Sequence, residues 1–210
     1  GLGDVYKRQG LVERIGEETG AITHKHGEER TEITEPVPDH GFGLSEVLRL
    51  FEEQGPSLAD AHIVAVGHRV VQGGRYFSGP ALIDDDVVAR IEQLVPLGPL
   101  HNPAHLKGIE VGRRLLSDVP HVAVFDTAFF QDLPEEAARY ALDREVADTY
   151  SIRRYGAHGT SHQFVSGAVS ELLGRDDLKQ VVLHLGNGAS ASAVVAGHCL
   201  LYTSPSPRDV

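Results

Sequence analysis

Residues 155–162 read Tyr-Gly-Ala-His-Gly-Thr-Ser-His, and this stretch decides how the whole chain is interpreted. His158 and His162 lie four residues apart, a spacing at which two imidazoles on one helix face can share a metal ion. No glutamate lies between them, and Gly159 interrupts the pair. The pattern therefore favours core or capping histidines over a zinc site.

Four further motifs accompany this stretch in a fixed order. Residues 66–74 read Val-Gly-His-Arg-Val-Val-Gln-Gly-Gly, and residues 99–103 read Pro-Leu-His-Asn-Pro. An apolar run that reaches a carboxylate, Val-Phe-Asp-Thr-Ala-Phe, occupies residues 124–129. A glycine turn, His-Leu-Gly-Asn-Gly-Ala-Ser, follows another apolar run at residues 184–190. One such motif would be weak evidence, whereas five in order are specific.

Together these motifs resemble the acetate kinase family over residues 10–198. The resemblance implies an α/β chain with the actin/sugar kinase/Hsp70-like (ASKHA) fold. It also implies reversible phosphoryl transfer from ATP to acetate, giving ADP and acetyl phosphate. The chain has no methionine, so we expect a fragment truncated at both ends. The family's Mg²⁺ ligands would then lie outside it, leaving no metal ligand within it, and the isolated fragment would be inactive or nearly so.

The glycine turn is the candidate nucleotide-phosphate site. Glycine turns expose backbone N–H groups, which can hold phosphate oxygens without side chains. Asn-Gly is also the commonest signal for an ordinary β-hairpin, so the turn alone does not decide between the two. The resemblance assigns nucleotide binding to His184, Leu185, Gly186, Asn187 and Gly188.

Three side chains are the candidate catalytic groups. A lone arginine is usually a surface charge, but Arg69 lies among apolar residues and glycines, where a guanidinium suits carboxylate or phosphate oxygens. Asp126 could simply cap the turn after its strand. The resemblance implies that Arg69 binds the acyl and phosphoryl groups, that Asp126 positions the acid or acts on its neighbours electrostatically, and that His158 donates to the transferring phosphoryl group.

A small acyl pocket is also implied by the resemblance. Val71 and Leu100 match two of its walls. Apart from the pocket walls, His101 matches an active-site histidine with a supporting role in binding the substrate phosphate. The third wall is phenylalanine in the family but Ala157 here. Loss of that ring predicts relaxed preference toward propionate or butyrate, worth roughly 1–3 kcal/mol per methylene accommodated. A propionate or butyrate kinase is therefore an alternative.

Two other positions depart from the family pattern. Gln72 replaces a usual histidine beside the glycine pair, and Phe130 replaces the histidine that usually follows Thr-Ala-Phe. These departures leave open a nonenzymatic ATP-binding or sensing protein. Retention of Arg69, Asp126 and His158 argues against that alternative.

The two ends of the chain read as translated sequencing-adapter DNA. One DNA sequence that encodes residues 199–209 has a reverse complement that encodes residues 1–9. We therefore assign residues 1–9 and 199–210 to the adapter and leave them out of the fold. The remaining segments are an acyl-binding domain at 10–130 and the start of a nucleotide-binding domain at 131–198.

Composition limits the class of protein. Nineteen Lys and Arg against 30 Asp and Glu give a net charge of −11, which argues against nucleic acid and anionic membranes as partners. The single cysteine, Cys199, excludes an intramolecular disulfide. No apolar run reaches the length of a membrane helix. We expect a cytoplasmic enzyme, and the family implies Mg²⁺, ATP or ADP and a homodimer when full length.

Hydrophobic periodicity places the motifs on an alternation of helices and strands. It predicts a helix at 44–54, which Gly55 and Pro56 end, and an apolar helix face at 164–173, capped by Thr160 or Ser161 and ended by Gly174. The region 23–39 shows little pattern and is expected at the surface. The other predicted helices are at 84–95, 103–116 and 135–140, and the predicted strands at 63–66, 121–125, 180–185 and 191–196.

Overall fold

The computed structural model describes residues 8–54 and 62–205, and within them the chain is an α/β structure, as predicted. These residues form two compact units, one from the described residues up to 66 together with 106–121, the other from 67–105 together with 122–205. These units differ from the predicted segments 10–130 and 131–198. The assignment of acyl and nucleotide binding to those segments stays a prediction.

The first unit is a three-stranded antiparallel sheet covered by a helix. Strands β1 (Arg8–Glu13), β2 (Gly20–His26) and β3 (Glu29–Glu35) pair in that order, and helix α1 (His40–Glu53) packs on β1 and β2. Its buried core residues are Ile22, Val37 and Leu50.

Two predictions about this unit need correction. The region 23–39 is not a patternless loop, because most of it lies in β2 and β3. In β3, the half-buried residues Thr31, Ile33 and Glu35 alternate with exposed ones. The charged residues of the strand hide this alternation in the sequence. The helix predicted at 44–54 is confirmed, but it begins at His40, because the Asp39 carboxylate accepts a hydrogen bond from the Phe42 N–H at 2.8 Å.

The second unit contains two sheets. The first has the order β4-β6-β5, from strands β4 (Val66–Val70), β5 (Ala81–Leu82) and β6 (His121–Phe125). The predicted strand at 121–125 is confirmed. The strand predicted at 63–66 instead begins at Val66, so Arg69 lies within the strand rather than after it. The adjacent polar residues His68 and Arg69 break the apolar run and obscured this strand in the sequence.

The second sheet is antiparallel, with the order β7 (Lys179–Leu185), β8 (Ala189–Val195) and β9 (His198–Thr203). The predicted hairpin of the first two strands is confirmed. Exclusion of residues 199–210 from the fold was wrong for the residues of β9, because Cys199 and Tyr202 are buried beside Phe130. Residues 8 and 9 likewise lie in β1. That these residues derive from adapter DNA stays a hypothesis.

The helices of the second unit follow the predicted signals closely. Helix α2 (Asp85–Gln93) is capped by Asp84, helix α3 (Asn102–Leu115) runs on into the first unit, and helix α4 (Glu135–Ala138) is a single turn. The sequence did not predict helix α5 (Arg144–Thr149), which Asp143 caps. These helices lead to helix α6 (Gly159–Leu173), which carries the histidine motif.

Helix α6 differs from its prediction in both its start and its buried face. It begins after His158, which has a left-handed backbone, and neither Thr160 nor Ser161 caps it. The predicted apolar face is largely exposed, and the buried residues are Gly159, His162 and Ser166. Gly174 ends the helix in a left-handed conformation, as predicted. The helix therefore buries small and polar residues next to β7.

Gly159 fixes the contact between the start of α6 and the end of β6. Its N–H donates to the Asp126 carbonyl at 2.9 Å, and an added Cβ would lie 2.1 Å from that oxygen. Backbone atoms on both sides leave little freedom to relax. Only glycine fits this approach without moving the helix.

We expect Gly159→Ala to lower the free energy of unfolding by about 2 kcal/mol or more, because overpacking moves backbone. Gly167→Ala in the same helix is the matched control, since an added Cβ there meets nothing within 4 Å. That change should be neutral or stabilise by up to about 1 kcal/mol. Urea denaturation of both variants checks this, and equal stabilities would contradict it.

Candidate active site

Arg69 and Asp126 form an ion pair between neighbouring strands. Arg69 Nε donates to Asp126 Oδ1 at 3.1 Å, and Nη2 donates to Oδ2 at 2.7 Å. The Asp126 side chain is 1% exposed and that of Arg69 is 61% exposed. These hydrogen bonds raise the pKa of Arg69 above its already high value. The carboxylate therefore holds a guanidinium that still reaches solvent.

The backbone N–H and carbonyl of Asp126 are also hydrogen-bonded. Its N–H donates to the Val70 carbonyl at 2.9 Å, and its carbonyl accepts from Gly159. The next residue, Thr127, accepts a hydrogen bond from the Gly73 N–H at 3.0 Å through its side-chain oxygen. Asp126 and Thr127, at the end of β6, therefore hold three segments by hydrogen bonds: β4, the glycine pair that follows β4, and the start of α6.

His158 lies at the start of α6 and contacts the glycine turn. Its ring stacks on His184 with centroids 4.1 Å apart. A Cβ added to Gly188 would lie 3.3 Å from His158 Nε2, so that edge of the ring faces the turn. Burial, His184 and Arg69 lower the pKa of His158, against an opposing effect of Asp126. These effects favour the neutral imidazole of His158, and Arg69 and Asp126 lie close enough to act on it electrostatically.

Two buried serines of β8 tie the histidine motif to the sheet. Ser190 Oγ lies 2.9 Å from His158 Nδ1 and 2.8 Å from His162 Nε2. Ser192 Oγ lies 2.8 Å from His162 Nδ1. Burial, with smaller contributions from His184 and His158, lowers the pKa of His162 to about 4. The sequence did not predict these serines, although their alternation at 190 and 192 is the signal of one strand face.

The glycine turn is a tight connection between β7 and β8. The Gly186 N–H donates to the Gly188 carbonyl at 3.0 Å, and the turn residues 186–188 are exposed. His184 precedes the turn, and its Nδ1 lies 2.9 Å from Ser161 Oγ. His158, His184 and the turn therefore lie together, and Leu185 is exposed at the end of β7. Their roles in catalysis and nucleotide binding stay predictions.

Gln72, one of the two departures from the family pattern, has a structural role. Its side-chain oxygen accepts from the Gly74 N–H at 2.8 Å. Its own backbone N–H and carbonyl are bonded to the Asn102 side chain, each at 3.1 Å. Gln72 therefore stabilises the backbone that follows Arg69.

Phe130, the other departure, is fully buried. Its ring lies 5.7 Å from that of His162 and 4.6 Å from that of Tyr202. A Cβ added to Gly156 would lie 2.2 Å from the Phe130 ring, and Gly156 also has a positive φ of 81°. Packing of Gly156 against Phe130 therefore fixes how close the loop that precedes His158 lies to this ring.

The predicted acyl-binding residues are less closely grouped. Val71 and Ala157 are half-buried, whereas Leu100 is 86% exposed. His101 is exposed and its ring lies 6.4 Å from that of His105. Their role as pocket residues stays a prediction. The sequence did not single out His105. Among the described residues its buried Nε2 has no hydrogen-bond partner, and burial, with smaller contributions from His101 and Arg69, lowers its pKa against a raising effect of Asp126.

Two further results concern metals and membranes. Among residues 8–54 and 62–205, no group of three or more His, Cys, Asp or Glu side chains is arranged to hold a metal ion. In the same ranges, no helix is long and apolar enough to cross a membrane.

Known proteins match the chain over most of its length. The model of the Acetokinase family matches residues 3–204. An acetate kinase of Corynebacterium aurimucosum is 54% identical over 190 residues, which are 90% of this chain and 47% of that protein. The chain therefore spans about half the length of the curated relatives it matches.

Solved structures agree in fold. An acetate kinase of Porphyromonas gingivalis superposes with a TM-score of 0.88 at 38% identity, covering 94% of this chain and 51% of that one. A propionate kinase of Francisella tularensis gives 0.87 at 38% identity, covering 94% and 50%. These matches confirm the fold class and the family resemblance that the five motifs predicted.

The depressed pKa of His162 predicts a pH dependence of stability. The unfolded state binds a proton near pH 6.5 and the folded state only near pH 4, so stability is present above pH 6.5 and is lost as the pH falls toward 4. The loss should be roughly 2–3 kcal/mol. We expect His162→Gln to remove this component in urea titrations between pH 7 and 4.

His198→Gln, at an exposed position of β9, is the control for replacing a histidine outside the buried cluster. Parallel pH profiles of the wild type and His162→Gln would contradict the burial of a neutral His162.

Proposed function

The chain belongs to the acetokinase family, and we propose that the whole protein catalyses reversible phosphoryl transfer from ATP to acetate, giving ADP and acetyl phosphate. The observation that carries this proposal is the solvent-reaching guanidinium of Arg69, held by buried Asp126 in the same unit as His158 and the glycine turn. In phosphoryl transfer the protein mainly positions reactants and neutralises charge.

Arg69 is the group suited to bind the reacting anions. Asp126 accepts hydrogen bonds from the Nε–H of Arg69 and from one hydrogen of its Nη2. In the described part of the chain, no other side chain bonds the Arg69 guanidinium. Three N–H donors therefore remain, and a guanidinium edge can take two oxygens of a carboxylate or phosphate. We propose that Arg69 bridges the acyl carboxylate and the transferring phosphoryl group.

Asp126 acts through Arg69 in this proposal. Both of its oxygens accept from the guanidinium, so it orients the clamp and removes its freedom before the substrates arrive. Such preorganisation stabilises charge where it develops, at no cost of reorientation during the reaction.

His158 supplies a neutral donor beside the glycine turn. Its lowered pKa favours the uncharged imidazole, and its Nε2 edge faces Gly188. We propose that it donates to the equatorial oxygens of the transferring group, while the backbone at residues 185–188 holds the nucleotide phosphates and His184 supports the ring by stacking.

Magnesium would accompany the nucleotide, where it neutralises phosphate charge. The described residues offer no three-ligand cluster for a resident metal. We further propose a cytoplasmic homodimer for the whole protein, as the family implies, and an inactive or nearly inactive isolated chain, since it spans about half of its relatives.

A kinase for a longer acid is the second candidate. Ala157 is smaller than the phenylalanine expected from the family pattern, and the matching structure from Francisella tularensis is that of a propionate kinase. A nonenzymatic ATP-binding protein is less well supported, because Gln72 and Phe130 have structural roles that explain their presence without loss of activity.

The test uses the complete reading frame that contains this chain, expressed and assayed with Mg-ATP. Acyl phosphate is trapped with hydroxylamine from acetate, propionate and butyrate separately, for the wild type and for Ala157→Phe. We expect product from acetate, and a propionate-to-acetate ratio of kcat/KM that falls roughly 10-fold in the variant, as for one methylene in an apolar pocket.

An unchanged or increased ratio in Ala157→Phe would remove Ala157 as a determinant of acid size. A higher kcat/KM with propionate or butyrate than with acetate would move the function to the second candidate. A folded protein that binds ATP and forms no acyl phosphate would contradict the proposed function.

A further inference from the structure

A continuous series of hydrogen bonds, here called the relay, runs from the interior of the sheet formed by β7, β8 and β9 to His158, the proposed donor. It passes from Ser192 to His162, from His162 to Ser190, and from Ser190 to His158, in three contacts of 2.8–2.9 Å. Ser192, His162 and Ser190 are all buried, at 0–4% exposure. Each contact needs one hydrogen, so the direction of the chain decides which nitrogen of His158 carries its proton.

Only one direction uses every hydrogen. Within the described part of the chain, the side-chain hydrogen bond of Ser192 is the one to His162 Nδ1. If Ser192 donates there, neutral His162 carries its proton on Nε2 and donates to Ser190. Ser190 then donates to His158 Nδ1, which leaves the His158 proton on Nε2.

The other arrangements leave a buried hydroxyl without an acceptor. If His162 donates from Nδ1, the hydrogen of Ser192 has no partner. If both imidazoles donate to Ser190, the hydrogen of Ser190 has none. An unmade buried hydrogen bond is costly, so each alternative should be disfavoured on the order of 10-fold or more.

We propose that Ser192, His162 and Ser190 are positioning residues that fix His158 as its Nε2–H tautomer. The proton then lies on the ring edge that faces Gly188 and the glycine turn. This inference deepens the proposed function, on which its catalytic meaning rests, because an unprotonated Nε2 could not donate to a phosphoryl oxygen.

Nitrogen-15 NMR of the histidine side chains tests the relay directly in the chain itself, at pH 7.5. The ring-nitrogen shifts report which nitrogen is protonated. We expect both His158 and His162 to be single Nε2–H tautomers in the wild type. Ser192→Ala removes the hydroxyl that orients the relay, so the Nδ1–H share of His158 should rise several-fold.

Ser166→Ala is the matched control, because Ser166 is a buried serine of α6 that donates to the Gln163 carbonyl, outside the relay. It should leave both tautomers unchanged. A wild-type spectrum with Nδ1–H on His162 or His158 would overturn the proposal even if Ser192→Ala failed to fold. An unchanged His158 tautomer in folded Ser192→Ala would also overturn it.

The kinetic consequence is measured separately in the complete enzyme. We expect Ser192→Ala to lower kcat several-fold with little change in KM for ATP or acetate, because substrate binding does not involve the relay. Absence of acyl phosphate formation with tautomers as expected would reject the proposed function and keep the relay. Normal kcat together with a shifted tautomer would reject its role in catalysis.

Discussion

Asp126 is the residue on which the arrangement of the candidate site depends. Its carboxylate is buried and bonded to Arg69, its N–H is bonded to β4, and its carbonyl receives the start of α6. A buried carboxylate is stable only when it is paired and hydrogen-bonded. The hydrogen bonds from Arg69 therefore compensate the desolvation of the carboxylate. The same residue, through its carbonyl, places the histidine motif at the start of α6 next to that ion pair.

The helix that carries His158 is held by polar contacts rather than by an apolar stripe. His162 and Ser166 are buried, while Phe164 and Leu172 are exposed. Polar contacts are directional, so a helix attached through imidazoles and serine hydroxyls has a defined rotation and height above the sheet. A site that must hold a donor within a few tenths of an ångström of a reacting group benefits from that precision.

Local signals predicted much of this architecture, and tertiary contacts determined the rest. Helix α2 lies within the range predicted at 84–95, and the hairpin around residues 186–188 follows from its Asn-Gly pair. The buried face of α6 was mispredicted because periodicity counts apolar side chains and cannot count satisfied histidines. Strand β9 was missed because its residues from 199 onward were assigned to adapter DNA and left out of the fold. The contacts of Phe130 with His162 and Tyr202, and those of the Gln72 backbone with Asn102, join residues far apart in sequence.

The most direct test of the account is Asp126→Asn in the complete reading frame, with thermal unfolding and acyl phosphate formation measured together. The amide keeps the backbone bonds to β4 and α6 but loses the charge that holds Arg69, and Arg69 is exposed enough to be solvated. The account predicts a folded protein whose kcat/KM with acetate falls on the order of 100- to 1000-fold. A folded variant with activity within a few-fold of the wild type would contradict it.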